Sequence, residues 1–234
     1  MRRIGRSLAL ASLALTCWPE TDARAEPFFW GIEVEQAEYR FGEEDVAAWD
    51  FDATAGGDEL RFVWRSEAEF SLEEDAFETL ENQARLQTPI SDFFDAVAGI
   101  RLDTPKGPDR IYGVVGLHGL TKQWFEVDAD LFLSDRPIFR GEVEYEGLIT
   151  NRITLTPSVE IDLPLADDEA IGYGAFGPKV ELGARLSYDL VDRALSPYIG
   201  VHYERLFGES ADLARADGED RDALYFVVGT RLRF

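Results

Sequence analysis

The sequence predicts an all-β fold, specifically a transmembrane antiparallel up-and-down β-barrel of about twelve strands. Three observations support this prediction. Apolar and polar residues alternate with a period of two along most of the 234-residue chain, as they do on the two faces of a strand. The predicted strands are about 11–14 residues long, whereas strands of soluble proteins average about five or six. The connections between them alternate between short turns and longer loops, as in outer-membrane barrels.

The composition excludes several classes of protein. The 46 Asp and Glu residues outnumber the 23 Lys and Arg residues, which gives a formal net charge of −23. Nucleic-acid binding needs clustered basic residues, so we expect no nucleic acid among the partners. Hydrophobic residues make up 45% of the chain, which is too much for a disordered acidic segment. The mean hydropathy of −0.20 is unlike that of a helical membrane protein.

The N-terminus has the pattern of a cleaved signal peptide. Basic residues within 1–6 precede a short apolar stretch at 7–17, and the small-x-small pattern at 23–25 matches a signal-peptidase site. The apolar stretch is too short to span a bilayer as a helix. We therefore divide the chain into a signal peptide, 1–25, and an outer-membrane β-barrel domain, 26–234. That domain contains neither Cys nor Met, so it has no disulfide and no soft metal ligand.

The alternation of apolar and polar residues gives the strands in order along the barrel domain. Each has one apolar and one charged face, and no segment of ten residues or more shows a helical stripe. The predicted strands are 29–41, 46–54, 59–71, 76–88, 93–104, 109–120, 122–135, 138–149, 151–165, 177–190, 195–207 and 222–234.

The charged faces are too dense for the core of a soluble protein, so we place them in a polar lumen and the apolar faces against lipid. A salt-bridge network that fills a narrow lumen and a path that attracts cations both agree with this arrangement. Small barrels are filled by side chains and large ones contain a channel. A barrel of about twelve strands is intermediate, so the strand count does not decide between these two interpretations. The predicted inward acids are Glu33, Glu35, Glu126, Asp128, Asp130, Glu142, Glu144, Glu146, Glu160 and Asp162, and the inward arginines are Arg61, Arg65, Arg101, Arg140, Arg185, Arg231 and Arg233.

The connections check the strand count independently. With both termini in the periplasm, the even-numbered connections are short, and the two longest, 166–176 and 208–221, are extracellular. The acidic tips at 167–169 and 217–222 are predicted to be solvated, and divalent cations could bridge them to lipopolysaccharide phosphates. A G-x-G-x-x-G pattern at 172–177 is followed by a strand instead of a helix, so we interpret it as a flexible outer loop. The alternative fold is a soluble periplasmic β-sandwich or a lipocalin-like barrel.

Two histidines, His118 and His202, are both predicted to face the lumen. The simpler interpretation is a hydrogen-bonded lumen side chain, and the alternative is a metal ligand supported by carboxylates. His202 and Glu204 lie two residues apart on one face and could share one ion. A joint site with His118 would have to cross the lumen. The chain has no H-E-x-x-H pattern, so a tight zinc site is not expected.

The stretch at 113–128, with the block Trp124-Phe125-Glu126-Val127-Asp128, resembles the copper-resistance protein B family of outer-membrane proteins. Shorter similar pieces follow the family's order at 56–60, 155–157, 181–186, 197–201 and 226–229. The resemblance implies an outer-membrane barrel in copper resistance and homeostasis, which binds copper ions, passes them through its acidic lumen or keeps them out. The implied partners are outer-membrane lipid, lipopolysaccharide, divalent metal ions and a periplasmic copper protein.

Many members of that family carry a segment rich in Met and His before the barrel, whereas this chain runs from the leader almost directly into the first strand. We therefore expect weak binding of Cu(II) by His and carboxylate instead of tight binding of Cu(I). The candidate metal ligands are His118, His202, Glu204, Glu126, Asp128 and Glu144.

Two other functions remain open from the residues alone. One is a structural or general small-solute barrel with no metal role. The other is a lipid-hydrolysing barrel, in which Ser187 and His202 on neighbouring strands would act together. Both side chains are predicted to point away from lipid and no third orienting group is evident, so we expect no enzyme.

Overall fold

The computed structural model describes residues 28–105, 107–191 and 193–234. The predicted signal peptide, 1–25, lies outside the described residues. The strands are β1 (Phe29–Phe41), β2 (Val46–Gly56), β3 (Arg61–Ser71), β4 (Ala76–Pro89), β5 (Phe94–Thr104), β6 (Arg110–Leu120), β7 (Phe125–Leu133), β8 (Ile138–Tyr145), β9 (Gly147–Leu148), β10 (Ile153–Pro164), β11 (Lys179–Tyr188), β12 (Leu195–Leu206) and β13 (Asp222–Arg233).

The strands form one antiparallel sheet that closes on itself. Neighbours in sequence pair with each other, and β1 pairs with β13, with Glu33 opposite Arg233. The two-residue β9 continues β8, and both pair with β10, so the barrel is a closed 12-strand structure as predicted. A β-sandwich would need two packed sheets, so that alternative is wrong.

The two faces of the barrel wall differ in chemistry as the alternation predicts. On the outer surface Ile199 is 61% and Phe226 65% exposed, whereas inside the barrel Arg85 is 0% and Asp130 2% exposed. A lipocalin-like barrel would place its apolar faces inside, around a ligand. The prediction of an apolar exterior and a polar interior is therefore confirmed.

The two ends of the barrel differ in the length of their connections. The short-turn end carries residues 57–60, 90–93, 121–124, 149–152 and 189–194 between strands. The loop end carries the two longest connections, 165–178 and 207–221. Both long connections thus fall on one end, as the sequence predicts.

An irregularity in β1 changes which residues face the lumen. The pairing register with β2 shifts between Val34 and Gln36, which is a β-bulge. Of the predicted inward residues, Glu33 precedes the bulge and Glu35 is its unpaired residue. Beyond it Glu38 and Arg40 also point inward and are buried, although a strict period of two from Glu33 turns them outward.

The loop end contains helix α1 (Gly208–Asp217), within the 208–221 connection that was predicted as a loop. Its buried side chains are small, Ser210, Ala211 and Ala214, and small residues give no hydrophobic stripe. No helix within the described ranges has the length and apolar character needed to cross a membrane.

The 172–177 segment packs against α1. The hydroxyl of Ser210 donates to the carbonyl of Gly177 over 2.6 Å and accepts from the backbone N–H of Gly174 over 2.9 Å. A Cβ on Gly177 would lie 2.5 Å from the backbone nitrogen of Ser210, so glycine permits this close approach. The segment is followed by strand β11, as predicted, and no phosphate-binding helix follows it.

The 165–178 connection folds into the barrel. Tyr173 packs on an apolar cluster inside the wall, and burial raises the pKa of its phenol. Asp168 is only 3% exposed, because Arg110 and Arg136 bind its carboxylate at 2.6 and 2.9 Å. The prediction that Asp168 is a solvated loop residue is therefore wrong. The apolar cluster consists of Val97, Tyr112, Val114, Phe132 and Ile138.

Candidate functional site

A cavity of about 1040 Å³ occupies the part of the lumen nearest the loop end, and we call it the vestibule. Its wall carries charged residues of both signs together with one histidine. Those used below are Arg40, Glu69, Lys179, Glu181, His202 and Glu204.

Ion pairs fill the floor of the vestibule and the lumen next to it. Arg85 binds Asp130 at 2.9 Å and approaches Asp128 to 3.5 Å. Arg101 contacts Glu81 at 2.7 Å. Such charge-assisted pairs are strong when they are shielded from water. We call this layer of ion pairs the waist.

Arg140 joins further carboxylates to the waist. It contacts Asp162 at 2.8 Å, Glu67 at 2.9 Å and Glu160 at 3.0 Å. The inward orientation of Arg101, Arg140, Glu160 and Asp162 confirms the predicted faces. The salt-bridge network, one of the two arrangements that agree with the sequence, is therefore present in the lumen.

Three lumen acids remain outside this network. Within the described part of the chain, Glu35, Asp50 and Glu142 form no hydrogen bond and no ion pair. They line a small cavity of about 20 Å³ together with Arg65, Glu126, Asp128 and Glu144. Carboxyl side chains therefore outnumber their basic partners at this level.

His118 lies in the half of the lumen near the short-turn end. Its Nδ1 is 3.1 Å from Oδ2 of Asp128, and its Nε2 is 4.0 Å from Oε1 of Glu126. Since an ionised carboxylate only accepts, we assign a proton to Nδ1, and in the neutral imidazole Nε2 then keeps its lone pair. Glu144 lies opposite Glu126 on β8 and is held by Arg231 at 3.2 Å. Four of the six predicted ligands, His118, Glu126, Asp128 and Glu144, thus lie in this region of the lumen.

His202 lies in the vestibule wall and is 4% exposed. Its Nε2 is 3.4 Å from Oε2 of Glu181 and has no hydrogen-bond partner among the described residues. Glu204, the predicted companion of His202, instead binds Lys179 at 2.7 Å. Glu181, which was not among the predicted ligands, thus contacts His202 in place of Glu204.

The two histidines do not meet. His118 is two residues from the end of β6 at the short-turn side, whereas His202 is four residues from the end of β12 at the loop side. No three His, Cys, Asp or Glu side chains within the described ranges converge as metal ligands. Each histidine therefore has its own carboxylate, and such a small donor set suits weak binding.

Ser187 and His202 do not form a nucleophile–base pair. Ser187 lies opposite Tyr198, whereas His202 lies opposite Gly183, four residues further along β11. The hydroxyl of Ser187 donates to the carbonyl of Thr154 over 3.4 Å. The geometry required for a lipid hydrolase is therefore absent at these two described residues.

Two solved porins share the barrel fold at low sequence identity. The NanC porin superposes with a TM-score of 0.54 at 14% identity, over 87% of this chain and 99% of the porin. The KdgM porin, solved in complex with disordered oligogalacturonate, gives a TM-score of 0.52 at 10% identity over the same shares. These similarities establish an outer-membrane-type barrel, which fits an outer-membrane location.

Sequence comparison places the chain more narrowly. The family described as "Copper resistance protein B precursor (CopB)" matches residues 28–234. Copper resistance protein B of Escherichia coli is 35% identical over 189 residues, which is 80% of this chain and 63% of that protein. Its homolog from Pseudomonas syringae pv. tomato (strain ATCC BAA-871 / DC3000) is 35% identical over 91% of this chain and 71% of its own length. Neither these relatives nor the porins are enzymes. The chain belongs to the copper resistance protein B family.

Proposed function

We propose that this protein binds Cu(II) weakly in its acidic lumen and passes it along the barrel axis as part of copper resistance. The observation that carries the proposal is the position of both histidines on the lumen wall, each beside a carboxylate. His118 is the better ligand. Its Nδ1–H is held by Asp128, which orients the ring and leaves Nε2 available, the usual arrangement of a metal-binding histidine.

The surrounding charge supports the same role. Glu35, Asp50 and Glu142 are carboxylates without a bonded partner in the described chain, and they share a small cavity with Asp128. In their ionised form these carboxylates would raise the local concentration of cations. Imidazole and carboxylate suit Cu(II) better than Cu(I), which prefers sulfur.

The location and partners follow from the same proposal. A signal peptide, 1–25, would direct the barrel domain, 26–234, to the outer membrane. The apolar outer surface would contact lipid, and acidic loop residues would bind lipopolysaccharide through divalent cations. A periplasmic copper protein would exchange the ion at the short-turn end, next to His118.

The test is a calorimetric titration of the refolded barrel with Cu(II) in a non-chelating buffer. We expect saturable binding that is weakened by His118→Ala and to a smaller extent by His202→Ala. Gln123→Ala, in an exposed turn, is the matched control and should leave the isotherm unchanged. A wild-type isotherm no stronger for Cu(II) than for Mg²⁺, or one that neither histidine variant alters, would refute the proposal.

A general small-solute barrel is the second candidate. The porin-like fold and the size of the vestibule favour it. It predicts liposome permeation by small neutral solutes at a rate that Cu(II) and the histidine variants leave unchanged.

A further inference from the structure

Lys179 occupies the position of a cation between two vestibule carboxylates. Its Nζ lies 2.9 Å from Oε1 of Glu181 and 2.7 Å from Oε2 of Glu204. The two acids are directly opposite each other on β11 and β12, so their separation is fixed by the sheet. The lysine reaches them from the loop end of β11.

The same pair of carboxylates adjoins a histidine that lacks a partner. His202 Nε2 is buried, makes no hydrogen bond to a described residue and lies 3.4 Å from the other oxygen of Glu181. A buried ring nitrogen without a partner is costly unless a ligand completes it. Glu181 thus stands between an ammonium group on one side and a free nitrogen on the other.

We propose that Glu181, Glu204 and His202 form a second divalent-cation site, which Lys179 occupies as a tethered competitor. In the described structure, with Lys179 in place, these three side chains do not converge. A metal ion that enters the vestibule would displace the ammonium group, and rotation of the freed Glu181 carboxylate would bring the ion to Nε2 of His202. When the ion leaves, Lys179 returns. The inference deepens the proposed function and rests on it, because His202 is one of the two histidines assigned to copper there.

The chemistry of lysine suits this role. Its ammonium is a compact charge on a flexible four-carbon stem, so it can leave the carboxylates without disturbing the strands. Arg40, the other nearby cation, is already bound to Glu38 and Glu69 and cannot replace it. With the lysine in place, the positive charge weakens metal binding, which favours rapid exchange over retention.

The experiment replaces Lys179 in a protein whose His118 site has been removed, so that only copper binding at His202 is measured. In a His118→Ala background, Cu(II) is titrated into refolded Lys179→Leu, Lys179→Gln and Lys179→Arg variants, and nitrogen coordination is followed by electron paramagnetic resonance. We expect Leu and Gln to raise the affinity by at least about tenfold, because a like charge a few ångströms away is removed. Arginine should retain the affinity of the background protein.

A further His202→Ala change should abolish both the gain and the nitrogen signal, and Lys122→Leu in the exposed turn 121–124 should have no effect. Circular dichroism identifies variants that fail to fold. If one of Lys179→Leu and Lys179→Gln does not fold, the other still tests the inference. The inference is overturned if folded Lys179→Leu and Lys179→Gln bind no better than the background, or if their gain survives His202→Ala. A gain here without copper binding by the wild-type protein would reject the proposed function alone.

Discussion

The imidazole of His118 donates its Nδ1 proton to Oδ2 of Asp128 over 3.1 Å, and the two residues are directly opposite each other on β6 and β7. The hydrogen bond holds the ring with Nε2 towards Glu126. Asp128→Asn should therefore weaken Cu(II) binding by about 10–100-fold, the usual effect of losing such an orienting carboxylate. Isothermal titration measures this change.

Asp135→Asn is the control for that variant, because Asp135 is an exposed acid in the 134–137 turn. It removes the same charge far from the histidine. An equal loss of affinity in both variants would show that net charge, and not orientation of His118, controls binding.

The buried pair of Arg85 and Asp130 should dominate the stability of the waist. Arg85→Gln leaves Asp130 without its charge partner, and removing one member of a buried pair costs about 3–5 kcal/mol. We expect the free energy of unfolding in urea, measured on the barrel in lipid vesicles, to fall by about that amount. Arg215→Gln breaks the exposed pair with Asp212 and should cost less than about 1 kcal/mol. Similar losses in the two variants would contradict this account.

Asp168 should hold the 165–178 connection inside the barrel, because it binds both Arg110 and Arg136. Asp168→Asn weakens these two pairs, so hydrogen–deuterium exchange across 165–178 should increase while exchange in the strands stays the same. Glu169→Gln, at an exposed neighbouring position, should leave the exchange unaltered. Unchanged protection in Asp168→Asn would mean that Tyr173 packing alone suffices.

Spin labels should distinguish the two faces of the wall. A chain starting at residue 26 has no cysteine, so Leu182→Cys and Ser158→Cys each give one labelling site. Leu182 is on the apolar outer face and Ser158 lines the vestibule. In vesicles, we expect oxygen to relax the label at 182 and a water-soluble nickel complex to relax the label at 158. Reversed accessibilities would place lipid inside the barrel.

The strands and their faces were predictable because a period of two is a strong signal over ten residues. This signal assigns even two neighbouring valines to opposite faces. Val227 is buried inside the barrel and Val228 is exposed on its outer surface, as the alternation predicts. The signal fades where the outer face is itself polar. In β4 the outward Asn82 reduces the contrast with the inward Glu81 and Arg85, and these two were missed.

The candidate site was only partly predictable, because register decides which strands' side chains meet. Sequence spacing joined His202 to Glu204, but pairing between β11 and β12 puts Glu181 closer and brings in Lys179. His118 and Asp128 were both identified, yet their contact depends on the length of the turn that joins β6 and β7. Asp168 was misplaced because its two arginines are 58 and 32 residues away in sequence.

The bulge in β1 affects the pairing register of the first strand at the barrel seam. It turns Glu38 into the lumen, where the carboxylate accepts hydrogen bonds from Arg40, Arg185 and Tyr198. Sliding β1 by one residue along its neighbour would turn this carboxylate towards hydrocarbon and leave Arg185 and Tyr198 without their acceptor. Glu38 therefore disfavours a one-residue shift of the first strand at the barrel seam.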